Sequence, residues 1–326
     1  MNIIIAALLV VCLASCGSKV RSMEAAAETP SPSTYSDNQK EGSGFDADSA
    51  YSYVERQVSF GPRVPNTEAH REAGKWITSE LKRHGAEVIV QEAVITAFDG
   101  TPLNAKNIFG RFNADKPDRL LLLAHWDSRP WADQDPDPAN RMKPIDGAND
   151  GASGVGVLLE IARQLSIKPD TKGVDILFVD AEDWGTEGDD DSWALGTKYF
   201  VENPPEPDYM PSEAILLDMV GGEGAVFCRE YFSERSNPDL AANLWLIAAR
   251  EGYSEMFQNR LGTAVMDDHV ELIKAGIPAV DIIEFHPDSD SGFNPRWHTL
   301  ADNMEGISKE TLGAVGKTVL SYIRER

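Results

Sequence analysis

Acidic and imidazole side chains follow several apolar runs of this sequence, at the points where strands are expected to end. They are His125 and Asp127 after a run of leucines, Glu182 and Asp183 after the run 174–179, Asp218 in the run 215–219, and Glu284 and His286 after the run 279–283. Carboxylates gathered at one place repel one another and resist desolvation, so such a set needs a bound cation. Mixed imidazole and carboxylate ligands suit zinc, which in catalytic sites takes about three protein ligands and keeps an open position.

Two further groups lie outside the expected strands. Asn149-Asp150-Gly-Ala-Ser-Gly154 opens a predicted helix, and Trp297-His298-Thr299 lies in a loop rich in Pro and Gly. Each has a simpler interpretation, because an Asp before a helix is usually an N-cap worth about 1 kcal/mol, and an isolated histidine is usually a surface or hydrogen-bonded residue. Glu182 and Asp183 would likewise suit a solvated loop. Taken together, the groups favour a shared metal site over these separate interpretations.

The elements that must position these residues alternate between helix and strand. Apolar spacing and β-rich composition predict helices over 67–84, 152–165 and 308–324, and strands over 86–96, 120–124, 174–179, 215–219 and 279–283. This alternation predicts a single globular α/β domain with a central mixed, largely parallel β-sheet flanked by helices. In such sheets, sites gather at the carboxyl ends of the strands. The chain has 326 residues, 42% of them hydrophobic, which is enough for the core of this fold.

The N-terminal region predicts export rather than a folded element. Residues 3–13 are apolar but too few to span a bilayer, so residues 1–15 are interpreted as a signal peptide. Leu13-Ala-Ser-Cys16 resembles a bacterial lipobox, which predicts a lipidated Cys16 as membrane anchor and a location at the bacterial envelope, on its periplasmic side. A basic residue before Ile3 is missing, and ordinary secretion is the alternative. Residues 16–45 are rich in Ser, Pro and Gly and predict a flexible tether, followed by a catalytic domain over 46–326.

Charge and cysteine content exclude some classes of partner and cross-link. The net charge of −23 offers no basic face for phosphate backbones, so nucleic acid is not expected as a partner. Cys12 would leave with the signal peptide and Cys16 would carry lipid, so Cys228 would remain as a small buried apolar residue without a disulfide. The oligomeric state is open from sequence, with a monomer as the simplest expectation.

In content and order, these groups resemble the zinc exopeptidase family that includes bacterial leucyl aminopeptidases and the animal-type glutaminyl-peptide cyclotransferases. The matching motifs are His125-Trp-Asp-Ser128, Gly147-Ala-Asn-Asp150-Gly-Ala-Ser, Glu182-Asp183, Leu217-Asp218 and a late Asp-His pair. Four features are similar to the cyclotransferase branch: Phe60-Gly-Pro-Arg63 before the first predicted helix, Asp267-Asp268-His269, Gly276-Ile-Pro278, and Trp297-His298-Thr299 followed by Asp302-Asn303. The resemblance runs from Ser59 to the C-terminus.

The resemblance implies roles for individual residues. It implies Asp150, Asp183 and His298 as ligands of one catalytic zinc ion and Glu182 as general base and acid. Asp218 and Asp267 would form the acidic pair of a proton network, and Trp297 a wall of the substrate pocket. Trp184 and Trp193 compete for the place of a second substrate-contacting tryptophan, and plain packing is the alternative for either. Asp183 and Asp281 depart from the animal enzymes, which carry a glutamate and a histidine at the positions we align with them.

The implied activity is conversion of an N-terminal glutamine of peptides and proteins to pyroglutamate, with release of ammonia. A zinc aminopeptidase is the nearest alternative, in which a second metal would recruit His125 and Asp218. A third interpretation is an inactive lipoprotein that keeps the fold as a binding module. The acidic run Glu187-Gly-Asp-Asp-Asp191 is interpreted as a solvated loop, and the loop over 131–144 is expected to rim the pocket.

Overall fold

The structure, a computed structural model, describes residues 44–169, 172–289 and 291–326. The expected signal peptide, the lipobox with Cys16 and the tether up to residue 43 lie outside these residues. Within them, no helix combines the length and the apolar character that crossing a membrane requires.

Eight α-helices and eight strands make up most of the regular structure of these residues. The helices are α1 (Ala47–Val58), α2 (Glu68–Arg83), α3 (Ala152–Ile167), α4 (Leu195–Glu202), α5 (Tyr231–Ser236), α6 (Pro238–Arg250), α7 (Asp268–Lys274) and α8 (Lys309–Glu325). The strands are β1 (Glu87–Thr96), β2 (Pro102–Phe112), β3 (Arg119–His125), β4 (Gly173–Val179), β5 (Glu213–Asp218), β6 (Phe227–Arg229), β7 (Phe257–Leu261) and β8 (Ala279–Ile283).

Six strands form the central sheet in the order β1-β2-β4-β3-β5-β8. The pairs β3–β4, β3–β5 and β5–β8 are parallel, whereas β1–β2 and β2–β4 are antiparallel. The prediction of a mixed, largely parallel sheet is therefore confirmed. The strands β6 and β7 pair separately in a small parallel sheet.

The leucine run of β3 explains why helices cover both faces of the sheet. All seven residues of β3 and of β4 are buried, as expected of parallel strands packed on both sides. Leu120 and Leu122 contribute to a large core that includes residues of α1, α3 and α8. Leu121 and Leu123 point the other way, into a smaller core with residues of α4 and α7. The alternation of side chains along one strand thus supplies both cores.

The predicted elements agree with the observed ones within a few residues, but the sequence interpretation missed several. The helix predicted over 67–84 is α2, capped by the Thr67 hydroxyl, and it is not the first helix of the fold. The helix α1 precedes it and packs against α3 and α8. The strand β2 and the elements between residues 227 and 274 were also not predicted. Cys228 is buried on β6, as its apolar interpretation predicts.

Candidate active site

The carboxyl ends of the four parallel strands bring most of the predicted site residues to one edge of the sheet. His125 is the last residue of β3 and Asp218 the last of β5, while Glu182 and Asp183 follow β4 after a turn. Asp267 caps the N-terminus of α7. This is the edge at which open α/β sheets bind their ligands.

Several residues beside the site adopt the left-handed backbone conformation that side chains generally avoid. Ala181 and Met219, which flank Glu182 and Asp218, have φ of 53° and 47°, and His298 has φ of 54°. Strained backbone of this kind persists where the surrounding structure imposes it, and it concentrates at functional sites.

Gly151 allows α3 to begin directly against His125. Its φ is 95°, and a Cβ there would lie 2.5 Å from the Asp127 carbonyl oxygen and 3.0 Å from His125 Cε1. Gly151 is the N-cap of α3, so the interpretation of Asp150 as a capping residue is wrong. The Asp150 carboxylate instead faces two imidazoles, with Oδ1 3.1 Å from His125 Nε2 and Oδ2 3.6 Å from His298 Nε2.

Asp150, Asp183 and His298 form a buried group that we name the cavity triad. Each offers one ligand atom, and these atoms lie within 4.8 Å of one another. His298 Nε2 is 3.3 Å from Asp183 Oδ1, while its Nδ1 lies 3.3 Å from Asp133 Oδ1, so the ring presents Nε2 to the triad. Asp183 Oδ2 is buried and has no hydrogen-bond partner among the described residues. Two carboxylates, an imidazole oriented from behind and an unsatisfied oxygen fit a zinc ion.

Arg129 supports the cavity triad and was missed by the sequence interpretation. Its Nη1 donates to the Asp183 carbonyl and carboxylate oxygens at 3.1 and 3.2 Å. Nε and Nη2 donate to Asp133 at 2.9 and 2.7 Å. The guanidinium also lies over the rings of Trp131 and Trp193. Its position directly after the His125-Trp-Asp-Ser128 motif was the signal available in the sequence.

A second possible metal group shares Asp150 with the cavity triad. It consists of His125, Asp150 and Asp218, and His125 Nε2 lies 3.1 Å from Asp150 Oδ1 and 3.2 Å from Asp218 Oδ1. Burial alone would lower the pKa of His125, but hydrogen bonds with Asp127, Asp150 and Asp218 raise that pKa well above its usual value.

Glu182 lies beside the cavity triad in a buried environment that raises its pKa. Burial raises the pKa of Glu182 well above its usual value; His125 opposes this shift, and the nearby Asp267 adds to it. The backbone amides of Glu182 and Asp183 donate to the two carboxylate oxygens of Asp127 at 3.2 and 3.3 Å. Asp127 therefore fixes the turn that carries both residues.

Asp267, His269 and Asp281 form a third buried group, which we name the rear triad. His269 Nε2 lies 3.1 Å from Glu230 Oε2, and its Nδ1 lies 3.7 Å from Asp281 Oδ2. Burial raises the pKa of Asp267 to about 7, with the Asp218 charge as the next cause. Burial likewise raises the pKa of Asp281 well above its usual value, and Asp267 adds to that shift.

A cavity of about 670 Å³ opens over these groups. It is lined by Asp150, Glu182, Asp183, Asp218, Asp267, His298, Trp193 and Trp297, among others. The loop over 131–144 contributes Asp133 and Gln134, in agreement with its expected place at the rim. Glu187 and Asp190 of the acidic run are exposed, as a solvated loop predicts, and they also line the cavity.

The tryptophans separate into cavity walls and packing residues. The Trp297 ring stacks on His298 with ring centroids 3.6 Å apart, and Trp193 stacks on His298 at 6.2 Å. Trp184 is not among the cavity-lining residues; it packs against Trp131 and a small core around Leu103. Of the two competing tryptophans, the geometry favours Trp193.

Glu284 and His286 do not join the residues that converge on the cavity. The Glu284 carboxylate lies behind the turn that carries Asp150, where it accepts a hydrogen bond from Asn149 Nδ2 at 3.0 Å. His286 Nε2 lies 3.5 Å from Glu284 Oε2. The sequence grouped Glu284 and His286 with the other strand-end residues, and the structure places both outside the cavity lining.

The mixed β-sheet is covered by helices and carries buried carboxylates and imidazoles at its strand ends, where they could hold a metal ion. These features define an α/β enzyme with its cavity at the sheet edge. The model for peptidase family M28 matches residues 107–323, and the chain belongs to this family.

Relatives of known structure or name divide between two activities. A solved structure of Tannerella forsythia glutaminyl cyclase is 52% identical, covers 86% of this chain and 99% of that chain, and superposes with a TM-score of 0.85. Aminopeptidase YwaD of Bacillus subtilis is 27% identical over 303 residues, which are 90% of this chain and 60% of that protein. Glutaminyl-peptide cyclotransferase of Gloydius blomhoffii is 23% identical over 67% of this chain and 65% of that protein. The chain thus spans less than two thirds of the length of these two curated relatives.

Proposed function

We propose that this protein is a zinc-dependent glutaminyl-peptide cyclotransferase acting on peptides and proteins that begin with glutamine. The observation that carries the proposal is the 52% identity to the Tannerella forsythia glutaminyl cyclase over 86% of the chain. The cavity supports it, because Glu182, Asp218 and Asp267 line the same space as the cavity triad. The acidic lining also suits a substrate that enters with a free amino group.

The cavity triad would hold one zinc ion, with Asp150, Asp183 and His298 as its ligands. When bound, zinc supplies a Lewis acid that polarises the γ-carbonyl of the substrate glutamine. Asp133 and Arg129 hold His298 and Asp183 in place through the contacts described above. Such outer contacts commonly tune metal affinity.

Glu182 would move the proton in the cyclisation. The α-amine of the substrate attacks the γ-amide carbon, a new C–N bond forms, and the bond to the amide nitrogen breaks. Glu182 accepts a proton from the attacking amine and returns it to the departing nitrogen, which leaves as ammonia. Because the nucleophile belongs to the substrate, the protein need not activate a water molecule.

Asp218 and Asp267 would bind the substrate amine and tune Glu182. Both line the cavity, and Asp267 adds to the raised pKa of Glu182. An N-terminal amine has a pKa of about 7.7–8.0, so its neutral, nucleophilic form is present near neutral pH. Trp297, held flat against His298, would form one wall for the glutamine side chain, and Trp193 the opposite one.

A zinc aminopeptidase is the second candidate, and a specific observation favours it. His125 Nε2 lies at similar distances from Asp150 and Asp218, so two possible metal groups share the Asp150 carboxylate. In that enzyme a second metal ion would occupy this group, and Glu182 would activate water for hydrolysis of the first peptide bond.

One experiment distinguishes the two candidates. Purified full-length protein is incubated with one peptide that begins with Gln and one that begins with Leu, and the products are resolved by mass spectrometry. If the protein is a cyclotransferase, the Gln peptide should lose the mass of one ammonia. A chelator should abolish this reaction, and added zinc should restore it. Release of free leucine without loss of ammonia would instead assign the aminopeptidase.

We also propose export with a lipid anchor on Cys16, which would place the enzyme among exported proteins that begin with glutamine after processing. The support is the lipobox-like sequence Leu13-Ala-Ser-Cys16. Labelling of growing cells with a fatty-acid analogue should mark the wild-type protein and leave the Cys16→Ala variant unmarked. Equal labelling of both would overturn the assignment.

A further inference from the structure

Glu284 is a buried carboxylate that lies outside the cavity lining and has no role in the proposed reaction. It follows β8 directly, and its side chain is 0% exposed. Its Oε1 accepts from Asn149 Nδ2 at 3.0 Å, and its Oε2 accepts from Asn294 Nδ2 at 3.5 Å. One carboxylate therefore joins two asparagines that are 145 positions apart in the sequence.

The first asparagine belongs to the turn that presents the zinc ligand Asp150. Asn149 Oδ1 accepts from the backbone amide of Gly221 at 2.8 Å, so both ends of its side-chain amide are held. The backbone amides of Asn149 and Asp150 donate to the two oxygens of Asp302 at 2.8 and 3.1 Å. The direction of the Asp150 carboxylate is fixed by this turn.

The second asparagine organises the loop that carries the substrate wall and the imidazole ligand. The Asn294 carbonyl accepts from the Trp297 backbone amide at 2.9 Å, and its Oδ1 accepts from the Arg296 amide at 3.0 Å. These bonds form the tight turn that leads into Trp297 and His298. A shift of Asn294 would therefore move both residues.

The three side chains converge on one glycine. A Cβ on Gly222 would lie 2.5 Å from Glu284 Oε2, 3.0 Å from Asn294 Nδ2 and 3.2 Å from Asn149 Nδ2. Gly222 lies four residues after Asp218, which is the last residue of β5. We name this set of contacts among Glu284, Asn149, Asn294 and Gly222 the junction. It connects three segments of the site: the Asp150 turn, the strand end at Asp218 and the Trp297 loop.

We propose that Glu284 is a positioning residue that fixes the Asp150 turn relative to the Trp297–His298 loop, and so sets zinc affinity and substrate KM. The part of this inference that concerns substrate KM rests on the proposed function. A carboxylate suits this place because both neighbours present N–H groups, and it can accept from each. A glutamine would offer one oxygen and turn an amide donor toward one of the two asparagines.

The test uses Glu284→Gln in the full-length, zinc-loaded protein, with Glu160→Gln as the matched control. Glu160 is also 0% exposed and accepts hydrogen bonds, from Asp46 N, Gln164 Nε2 and the Arg163 guanidinium, but it lies on α3 away from the cavity. Zinc affinity is measured by competition with a chelating dye, and KM and kcat with a Gln-initiated peptide. Glu284→Gln should weaken zinc binding about 10-fold and raise KM more than it lowers kcat. Glu160→Gln should change only the melting temperature.

Gly222→Ala supplies an independent disruption of the same junction, and it should shift zinc affinity and KM in the same direction. If Glu284→Gln and Gly222→Ala bind zinc and substrate like the wild type while only their melting temperatures fall, the positioning role is overturned. If the wild type binds zinc but cyclises no glutamine, the proposed function fails, and the zinc affinities alone decide the positioning role. A wild type that binds no zinc would overturn both.

Discussion

The cavity triad and the rear triad are built from the same kinds of residue but differ in their surroundings. Each combines two aspartates and one histidine, all buried, with ligand atoms within 4.8 Å. Around the cavity triad, Arg129 pairs with Asp183, and His125 pairs with Asp150. Among the described residues, the two ion pairs of the rear triad both involve His269, which faces Glu230 and Asp281.

The two triads also differ in their access to the cavity. The cavity triad opens to a large cavity through which an ion and a substrate can enter. Of the rear triad, Asp267 reaches the cavity, while His269 and Asp281 lie behind it and are 0% exposed. Burial raises the pKa values of Asp267 and Asp281, and it also raises that of Asp183 in the cavity triad. Burial alone would raise the pKa of Asp150 as well, but the hydrogen bond with His125 lowers that pKa below its usual value. Residue types alone therefore do not distinguish the two.

The largest expected effect separates the histidines of the two triads. His298→Ala should abolish zinc retention and turnover, because it removes one of three ligands. His269→Ala should retain zinc close to the wild-type ratio, because His269 is not one of the three proposed ligands. Metal analysis of both dialysed variants by mass spectrometry measures this directly. Equal loss of zinc in the two variants would remove the distinction between the triads.

Glu182 lies between the triads, and its replacement should separate metal binding from catalysis. Glu182→Gln keeps the shape of the side chain but cannot accept a proton, so turnover should fall by about 10²–10⁴-fold. Zinc content should stay at the wild-type level, because Glu182 is not a ligand. Steady-state kinetics and metal analysis of the same preparation provide the two readouts. Turnover close to wild type would exclude Glu182 from the reaction.

Residues at the strand ends were easier to recognise in the sequence than the contacts that support them, for a physical reason, whereas the ligand set Asp150, Asp183 and His298 was implied by the family resemblance. His125 and Glu182 follow strongly apolar runs, and Asp150 lies in a Gly-rich turn. The elements that carry these residues, and their place at the edge of the sheet, were therefore recognisable. The helix α2 and the strands β3, β4, β5 and β8 were recognisable from apolar periodicity for the same reason. Periodicity is a local property, and it identifies elements whose burial is continuous along the chain.

The contacts that hold the site are not local, and periodicity carries no signal for them. Arg129 reaches Asp183 across 54 positions, and Glu284 reaches Asn149 across 135. The elements β6, α5, β7 and α7 span three to seven residues, too few for a long apolar period, and β2 is exposed at its start. The helix α6 has 13 residues with buried side chains at helical spacing, so it was recognisable but was overlooked. Glu284 was grouped with the cavity residues because the sequence does not show whether a polar residue after a strand faces the cavity or the space behind a neighbouring turn.

The rear triad should also differ from the cavity triad in how stability depends on pH. Burial raises the pKa of Asp281 above its unfolded value, so the folded protein binds the extra proton. Such an acid costs no stability at pH values below its unfolded pKa. As pH rises from the unfolded pKa toward the folded pKa, it lowers the free energy of unfolding. Asp281→Asn, which is neutral at every pH, should therefore melt higher than the wild type at pH 8, by about 2–4 °C per kcal/mol gained.

Thermal melts of Asp281→Asn and the wild type at pH 5 and pH 8 test this expectation. The difference in melting temperature should grow with pH, and zinc content should be unchanged because Asp281 lies outside the cavity triad. Asp183→Asn is the matched comparison, since it changes the same atoms in a zinc ligand and should lose the metal. A pH-independent difference for Asp281→Asn would mean that Asp281 is ionised in the folded protein throughout this range.

The smallest expected effect concerns the walls of the cavity. Trp193 lines the cavity and stacks on His298, whereas Trp184 packs against Trp131 away from it. An aromatic contact contributes about 0.5–1.5 kcal/mol beyond its buried area, so Trp193→Leu should raise KM for a Gln-initiated peptide about 2- to 10-fold. Trp184→Leu should lower the melting temperature and leave KM unchanged. If the KM effects were reversed, the substrate would extend toward Trp131 and Trp184, and the cavity wall assigned to Trp193 would be wrong.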